Sequence, residues 1–489
     1  MIKRISAPLL RWSRRIVFSA ALVCVTVILV WAFHSRNLPD LSVWHSPLDK
    51  EADAGDLEGL SYDEYVRLED ELFAELKEEV YSPGGAQTSL PNRYLSGSPS
   101  DPAAISDRNW NRSTVLMPDG EIKSGAVLLH GLTDSPYSMR SIAEILVANG
   151  CYTLCLRMPG HGTVPGSLVD AHWQDWFAAM EVAVSHVREK VGPEAALYFG
   201  GYSTGGSIAL KYAIKSVDDD NLHRPTKVFL LGPPVRVHPL AKLTKAHKTL
   251  SWIGYFEKFK WLGVELEYDP YKYNSFPKNG GVQSFKLSQS LLGDLRDLRS
   301  ANQMGQLAPV VTFQSVVDAT VLTDAVVDDL YMPMSPNGSE LVLFDINRYS
   351  AMEKFVRQPG KAVLDRLDGA DTLPFRYTLV SNVSPNTREV KVQIREQGHT
   401  DPAEPTPLGL LWPHQVYSLS HVALPFRPDD PVYGYMVPAE EADQHLRLGA
   451  MTPRGERRLL QISMDLAMRL RSNPFFDVVE ERIVSHLER

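Results

Sequence analysis

Residues 16–33, IVFSAALVCVTVILVWAF, run for 18 positions without a charge. That is at the short end of the length a helix needs to cross a hydrocarbon core, about 17–25 residues. Lys3, Arg4, Arg11, Arg14 and Arg15 precede the run, and Asp40, Asp49, Glu51 and Asp53 follow it. Cations on one flank only predict a transmembrane anchor, with residues 1–15 in the cytoplasm and the remainder across the membrane. A cleaved signal peptide is the competing reading. Its apolar core is usually about 7–15 residues long and ends at a small-x-small site, whereas this run ends in Val30-Trp31-Ala32-Phe33. The pattern fits a bacterial inner-membrane chain that is anchored once and faces the periplasm.

The next segment, 34–115, reads as a membrane-proximal spacer. Within it, SYDEYVRLEDELFAELKEEV places Tyr65, Leu68, Leu72 and Leu76 on one face of an acidic helix,. The following YSPGGAQTSLPNRYLSGSPSDPAA is rich in turn residues and predicts a loop,.

From about residue 123 the period alternates. The stretches SGAVLLHG, CYTLCLRM, AALYFGGYS, TKVFLLGPP, APVVTFQSVVD and SELVLFD are short apolar runs. Between the earlier ones lie amphipathic helices, SMRSIAEILVANG, HWQDWFAAMEVAVSHVREKVG and GGSIALKYAIKS. Strands alternating with helices predict an α/β domain over 116–489, with a mostly parallel sheet and helices on both faces. Two intervals interrupt it, at about 235–308 and about 346–415. The second contains FRYTLVSNVSPNTREVKVQIRE, which predicts a β-hairpin turning at Ser384-Pro385-Asn386,.

Net charge is −9, with no dominant basic patch, so nucleic acid is not expected as a partner,. Of the three cysteines, Cys151 and Cys155 stand four apart on an expected strand. That is about 13 Å, beyond disulfide reach. No His/Cys grouping has zinc-ligand spacing, so no metal site is expected.

The chemistry centres on Gly201-Tyr202-Ser203-Thr204-Gly205, a G-x-S-x-G between a buried strand and a helix. A strand-to-helix turn lifts a serine hydroxyl above the sheet edge as a nucleophile, and the glycines remove side chains that would block it. The glycines are not followed by Lys-Ser/Thr and do not spell G-x-G-x-x-G, so the alternative of a phosphate cradle does not fit. A serine needs a base, an orienting acid and oxyanion donors. Asp318, just past a buried strand, is the candidate acid, with Asp324 and Asp345 as rivals. His421, among small and apolar residues in SLSHVALPF, is the candidate base, with His399 and His414 as rivals. The backbone N–H groups of Leu132 and Thr204 are the candidate oxyanion donors, which leaves His130 a structural role in its turn.

These residues resemble the α/β-hydrolase superfamily, and in particular its monoacylglycerol lipase and serine aminopeptidase-like branch. The blocks LLHGLTDSPYSMRSIAEILVANG, LRMPGHGTVPGSL, WQDWFAAMEVAV and GGYSTGGSIALKYA carry the resemblance over roughly 120–325, and SLSHVAL carries it locally. The resemblance implies an eight-stranded sheet, no cofactor and a cap over the site at about 235–308. Aromatics of KTLSWIGYFEKFKWLGVELEYDPYKYNSFP would line an apolar acyl tunnel in that cap, or pack as its core. Two departures stand out. Thr204 occupies a position that is usually methionine, and about 100 residues separate Asp318 from His421 where a few tens are usual. The expected function is hydrolysis of a carboxylic ester, from a lipid or a small molecule. A peptidase or thioesterase of the same fold, or a non-catalytic binding module, are the alternatives.

Overall fold

The computed structural model describes residues 7–81, 91–237, 254–318, 320–349, 360–436, 446–451 and 468–487. Strands β1 (Thr114–Leu116), β2 (Ser124–Leu129), β3 (Cys151–Leu156), β4 (Ala196–Tyr202), β5 (Lys227–Leu231), β6 (Val310–Ser315), β7 (Glu340–Phe344), β8 (Arg376–Asn382), β9 (Glu389–Arg395) and β10 (Thr406–Leu411) form one sheet. Their spatial order is β1-β3-β2-β4-β5-β6-β7-β8-β9-β10. From β3 across to β8 every pairing is parallel. The edge pairings β1 with β3, β8 with β9 and β9 with β10 are antiparallel. The central strands SGAVLL, KVFLL, VVTFQS and ELVLF are buried along their whole length. Continuous apolar runs of this kind suit strands covered on both faces.

Among the described residues the sheet therefore holds ten strands, not the eight expected. Residues 376–411 continue the sheet instead of forming a separate excursion. Strand β8 pairs in parallel with β7, and the anticipated hairpin follows as β8 and β9 in register from Tyr377–Arg395 to Asn382–Val390. The edge strand β10 ends the sheet, with most of its residues exposed.

One core layer joins the sheet to helices α4 (Trp173–Val191), α5 (Thr204–Lys215) and α6 (Lys278–Ser300), with Val184, Leu210 and Leu291 in contact. The opposite layer carries α3 (Arg140–Ala148) and the C-terminal helix α8 (Phe476–Leu487), through Ile142, Leu146, Val479 and Ile483. Between β7 and β8 lies α7 (Lys361–Asp368).

The acidic helix is α2 (Tyr62–Glu79), capped by Ser61, whose hydroxyl accepts from the Glu64 N–H while the Glu64 carboxylate accepts from the Ser61 N–H. It buries Tyr62, Tyr65, Leu72 and Leu76. Tyr65 Oη donates to the Arg157 carbonyl, and the buried Arg157 guanidinium donates to Glu69 and Glu51 at 3.0 Å each. This segment thus packs as a layer on the α/β body.

The N-terminal run is helical, as α1 (Ala7–Arg36). Among the described residues no helix is long and apolar enough to cross a membrane. The side chains at 24, 28 and 31 of the expected 16–33 span lie outside the described residues. Those that are described are exposed apart from the half-buried Ala32, Phe18 and Phe33 each at 71% exposure.

The described part of the expected cap begins at 254, and residues 238–253 lie outside the described residues. Its described aromatics are packing groups. Tyr271 stacks on Tyr137 at 3.9 Å, the Tyr273 hydroxyl accepts from the Thr163 N–H at 2.8 Å, and Trp261 is buried with Val169 and Val264.

Candidate active site

Ser203 occupies the turn between β4 and α5 with φ +49° and ψ −122°, a conformation that L residues rarely adopt,. The neighbouring glycines explain how the chain tolerates it. A Cβ on Gly201 would fall 2.5 Å from the Gly205 backbone, and one on Gly205 would fall 2.4 Å from the carbonyl oxygens of Leu129 and His130. Only hydrogen fits at either place, so the start of α5 can press against the end of β2. That contact sets the His130 carbonyl, two residues before Leu132, against Gly205, the residue after Thr204. The Ser203 N–H donates to the Leu231 carbonyl at 2.9 Å, which ties the elbow to β5.

Asp318 and His421 meet across 103 residues of chain. Asp318 Oδ2 accepts from His421 Nδ1 at 2.7 Å and from the His421 backbone N–H at 2.8 Å. Its Oδ1 accepts from the N–H groups of Thr320 and Val321 at 2.7 and 2.8 Å. Burial alone would raise this carboxyl, but the hydrogen bond and charge of His421, with the backbone donors, outweigh it and hold the group down to about 2,. Asp318 is therefore ionised at neutral pH. Its contact places the histidine proton on Nδ1 and leaves Nε2 as an acceptor.

The long insertion does not displace the histidine because its return segment is sewn to the sheet. The Asn347 N–H donates to the Tyr417 carbonyl and its Nδ2 to the Val416 carbonyl, each at 2.8 Å. Ser315 Oγ lies 2.9 Å from the Leu419 carbonyl. These bonds start from the ends of β6 and β7, so residues 346–415 leave and re-enter at nearly one place.

The rival residues are engaged elsewhere. His399 and His414 are exposed. Asp345 is held by Arg348, and Asp324 lies 3.5 Å from Arg236. His130 is buried in its turn, its Nε2 accepting from the Met158 N–H at 3.0 Å while Nδ1 faces the Gly131 carbonyl at 2.9 Å. Burial holds it well below the usual histidine range, so it stays neutral.

Sequence reasoning missed Gly232. It follows β5 with φ +58°, and a Cβ there would lie 2.6 Å from the His421 Cβ. The residue beside Ser203's anchoring carbonyl is thus the floor under the histidine. Its signal, a lone glycine closing the apolar run in VFLLGPP, is visible only once the partner is known. Among the described residues no group of three or more His, Cys, Asp or Glu side chains could hold a metal ion.

The family model of serine aminopeptidase S33 matches residues 120–279. A thermostable monoacylglycerol lipase from Bacillus sp. (strain H-257) is 34% identical over 90 residues, which is 18% of this chain. The matched part spans about a third (34%) of that relative's length. Among solved structures, one described with the metagenome-derived lipolytic enzymes LipS and LipT aligns at 20% identity and TM-score 0.38, over 47% of this chain and 86% of the other. Paleococcus ferrophilus monoacylglycerol lipase aligns at 16% identity and TM-score 0.35, over 48% and 89%. Over part of its length the chain is thus similar to α/β-hydrolases of the monoacylglycerol lipase-like branch.

Proposed function

We propose that this α/β-hydrolase is a membrane-anchored serine esterase that cleaves carboxylic esters, with an acyl lipid or a short-chain ester as substrate. Ser203 Oγ attacks the acyl carbonyl while His421 Nε2 takes its proton. Asp318 keeps the imidazole in the required tautomer and stabilises the imidazolium. The N–H groups of Leu132 and Thr204 hold the oxyanion. His421 then returns the proton to the departing alcohol, and water releases the acyl group from Ser203 by the same path in reverse. The observation that carries this reading is the closed Asp318–His421 pair beside a serine held at φ +49°.

Anchoring by residues 16–33 is part of the proposal. The uncharged run and the exposure of Ile16, Val17, Phe18, Leu22 and Val23, each at 56% or more, support it. Apolar surface left in water costs about 25 cal/mol per Å², and a bilayer would remove that cost. The basic flank orients the N-terminus to the cytoplasm and the hydrolase domain to the periplasm of a bacterial inner membrane.

The test is a fluorophosphonate probe with a panel of p-nitrophenyl esters and one peptide amide. Labelling at Ser203, ester turnover, and loss of both in Ser203→Ala with unchanged folding are expected. Retention of more than about a tenth of the activity in Ser203→Ala would remove the nucleophile from this reading, since a lost triad serine costs orders of magnitude more. Faster cleavage of the amide would favour a peptidase, the alternative raised by the family match. No labelling and no turnover would favour a binding module.

A further inference from the structure

A small cavity beside the site has no part in the reaction as drawn. Tyr202, which precedes the nucleophile, and Val422, which follows the histidine, both line it. Its remaining polar wall is Asp134, Lys272, Arg469 and Arg471. The volume is about 70 Å³, room for a few waters at about 10–15 Å³ each, or for one phosphate or carboxylate group. It is too small for a long acyl chain. Its walls include the chain neighbours of both Ser203 and His421, which puts it next to the reacting groups.

The charges around it do not cancel. Lys272 Nζ lies 3.3 Å from Asp134 Oδ2, and Arg471 Nη1 lies 3.7 Å from Asp269 Oδ2. Both carboxylates are buried. Arg469 lies in the wall and acts electrostatically on Tyr202, the residue before the nucleophile. A guanidinium offers five N–H donors in a planar fork that matches a carboxylate or phosphate. Asp134 is the one carboxylate in the cavity wall itself that would oppose an anion. Burial pushes its carboxyl above the usual range, against the pull of Lys272, and Lys272 already pairs with it.

We infer that this cavity receives an anionic group, phosphate or carboxylate, on the alcohol side of the substrate ester, with Arg469 as its direct partner and Lys272 and Arg471 supplying the surrounding positive potential. The inference rests on the esterase reading. It narrows the substrate class from neutral acylglycerols to esters whose alcohol carries a negative charge, such as an acylglycerol phosphate or an acylated hydroxy acid.

The experiment compares kcat/KM for 1-decanoylglycerol 3-phosphate, 3-(decanoyloxy)propanoate and neutral 1-decanoylglycerol, with p-nitrophenyl butyrate run alongside. One or both anionic esters are expected to exceed the neutral one by about tenfold or more, the scale of one charge-assisted contact. The better of the two tells phosphate from carboxylate. Arg469→Ala should collapse that ratio through KM, and Arg469→Lys should restore part of it. Equal rates on charged and neutral esters, or an equal loss on all of them in Arg469→Ala, would overturn the inference. Binding of glycerol 3-phosphate and 3-hydroxypropanoate, followed by calorimetry, needs no turnover. Loss of the signal in Arg469→Ala supports the site, and no binding of either by the unaltered protein overturns it. Failure on p-nitrophenyl butyrate, with the anion still bound, would instead count against the esterase reading alone.

Discussion

The imidazole of His421 is anchored by one carboxylate oxygen at two points, since Asp318 Oδ2 lies 2.7 Å from its Nδ1 and 2.8 Å from its backbone N–H. The double contact fixes the position of the backbone and the direction of the ring together. The ring cannot turn away without breaking the Nδ1 bond, and the backbone bond keeps its Cα in place while it does so.

Removing this histidine is therefore predicted to remove the chemistry. His421→Ala should lower ester turnover by several orders of magnitude, on the scale of triad losses. His399→Ala, an exposed side chain, should change it by less than about tenfold,. Steady-state kinetics on a p-nitrophenyl ester decide the matter, and the reverse ranking would sink the His421 assignment.

Gly232 gives a subtler test. An alanine there must place its methyl 2.6 Å from the His421 Cβ and hold φ +58°. The histidine must shift, and a misplacement of about 1 Å can cost roughly 100-fold in rate. Gly232→Ala should lower kcat far more than it raises KM, while the melting temperature falls only modestly. A variant with unchanged kcat would show that the floor under His421 is not rigid.

Acid stability should depend on Glu340, on the side of the sheet where α8 docks. Its carboxylate accepts from Arg482 at 2.8 Å and Thr378 at 2.6 Å, and His486 Nε2 lies 2.5 Å away. Burial would raise this carboxyl, but those partners hold it down to about 2 from an ordinary 4.5. Burial holds His486 itself below the usual histidine range, so Arg482 is the charge that remains at neutral pH. A depressed carboxyl stabilises the fold above its unfolded value, and that contribution fades as pH falls from about 4.5 towards 2,. Glu340→Gln should lower stability at pH 7 by about 3–5 kcal/mol, because it leaves Arg482 buried without its counter-charge. Thermal melts between pH 7 and 2 should then show a shallower acid decline in the variant than in the parent. Parallel declines would mean that other carboxylates govern acid unfolding.

The proposed anchor makes its own prediction. Alkaline phosphatase fused after residue 60 should be active in a bacterial host, and the chain should stay with membranes through a high-salt wash. A soluble, shortened product would point to a cleaved signal.

Much of this protein was legible as a linear pattern because the relevant physics is local. Buried parallel strands need unbroken apolar runs, and VVTFQS and KVFLL show them. The elbow is a five-residue affair in which Gly201 and Gly205 make room for Ser203. The hairpin in 376–395 follows from alternation and a turn. Other features depend on contacts between distant segments, and no window of sequence contains them. Nothing within residues 346–415 states that the insertion would join the sheet edge, because an edge strand and a free hairpin share one pattern and only β7's unpaired edge decides between them. The return of His421 to Asp318 was expected from residue type, but Asn347 and Ser315 hold it there from strands far away in sequence. The roles of Gly232 beneath His421, and of Arg469 beside Tyr202, come from adjacency in space alone. Local propensity writes the elements, and burial and hydrogen-bond closure between distant segments decide which of them meet.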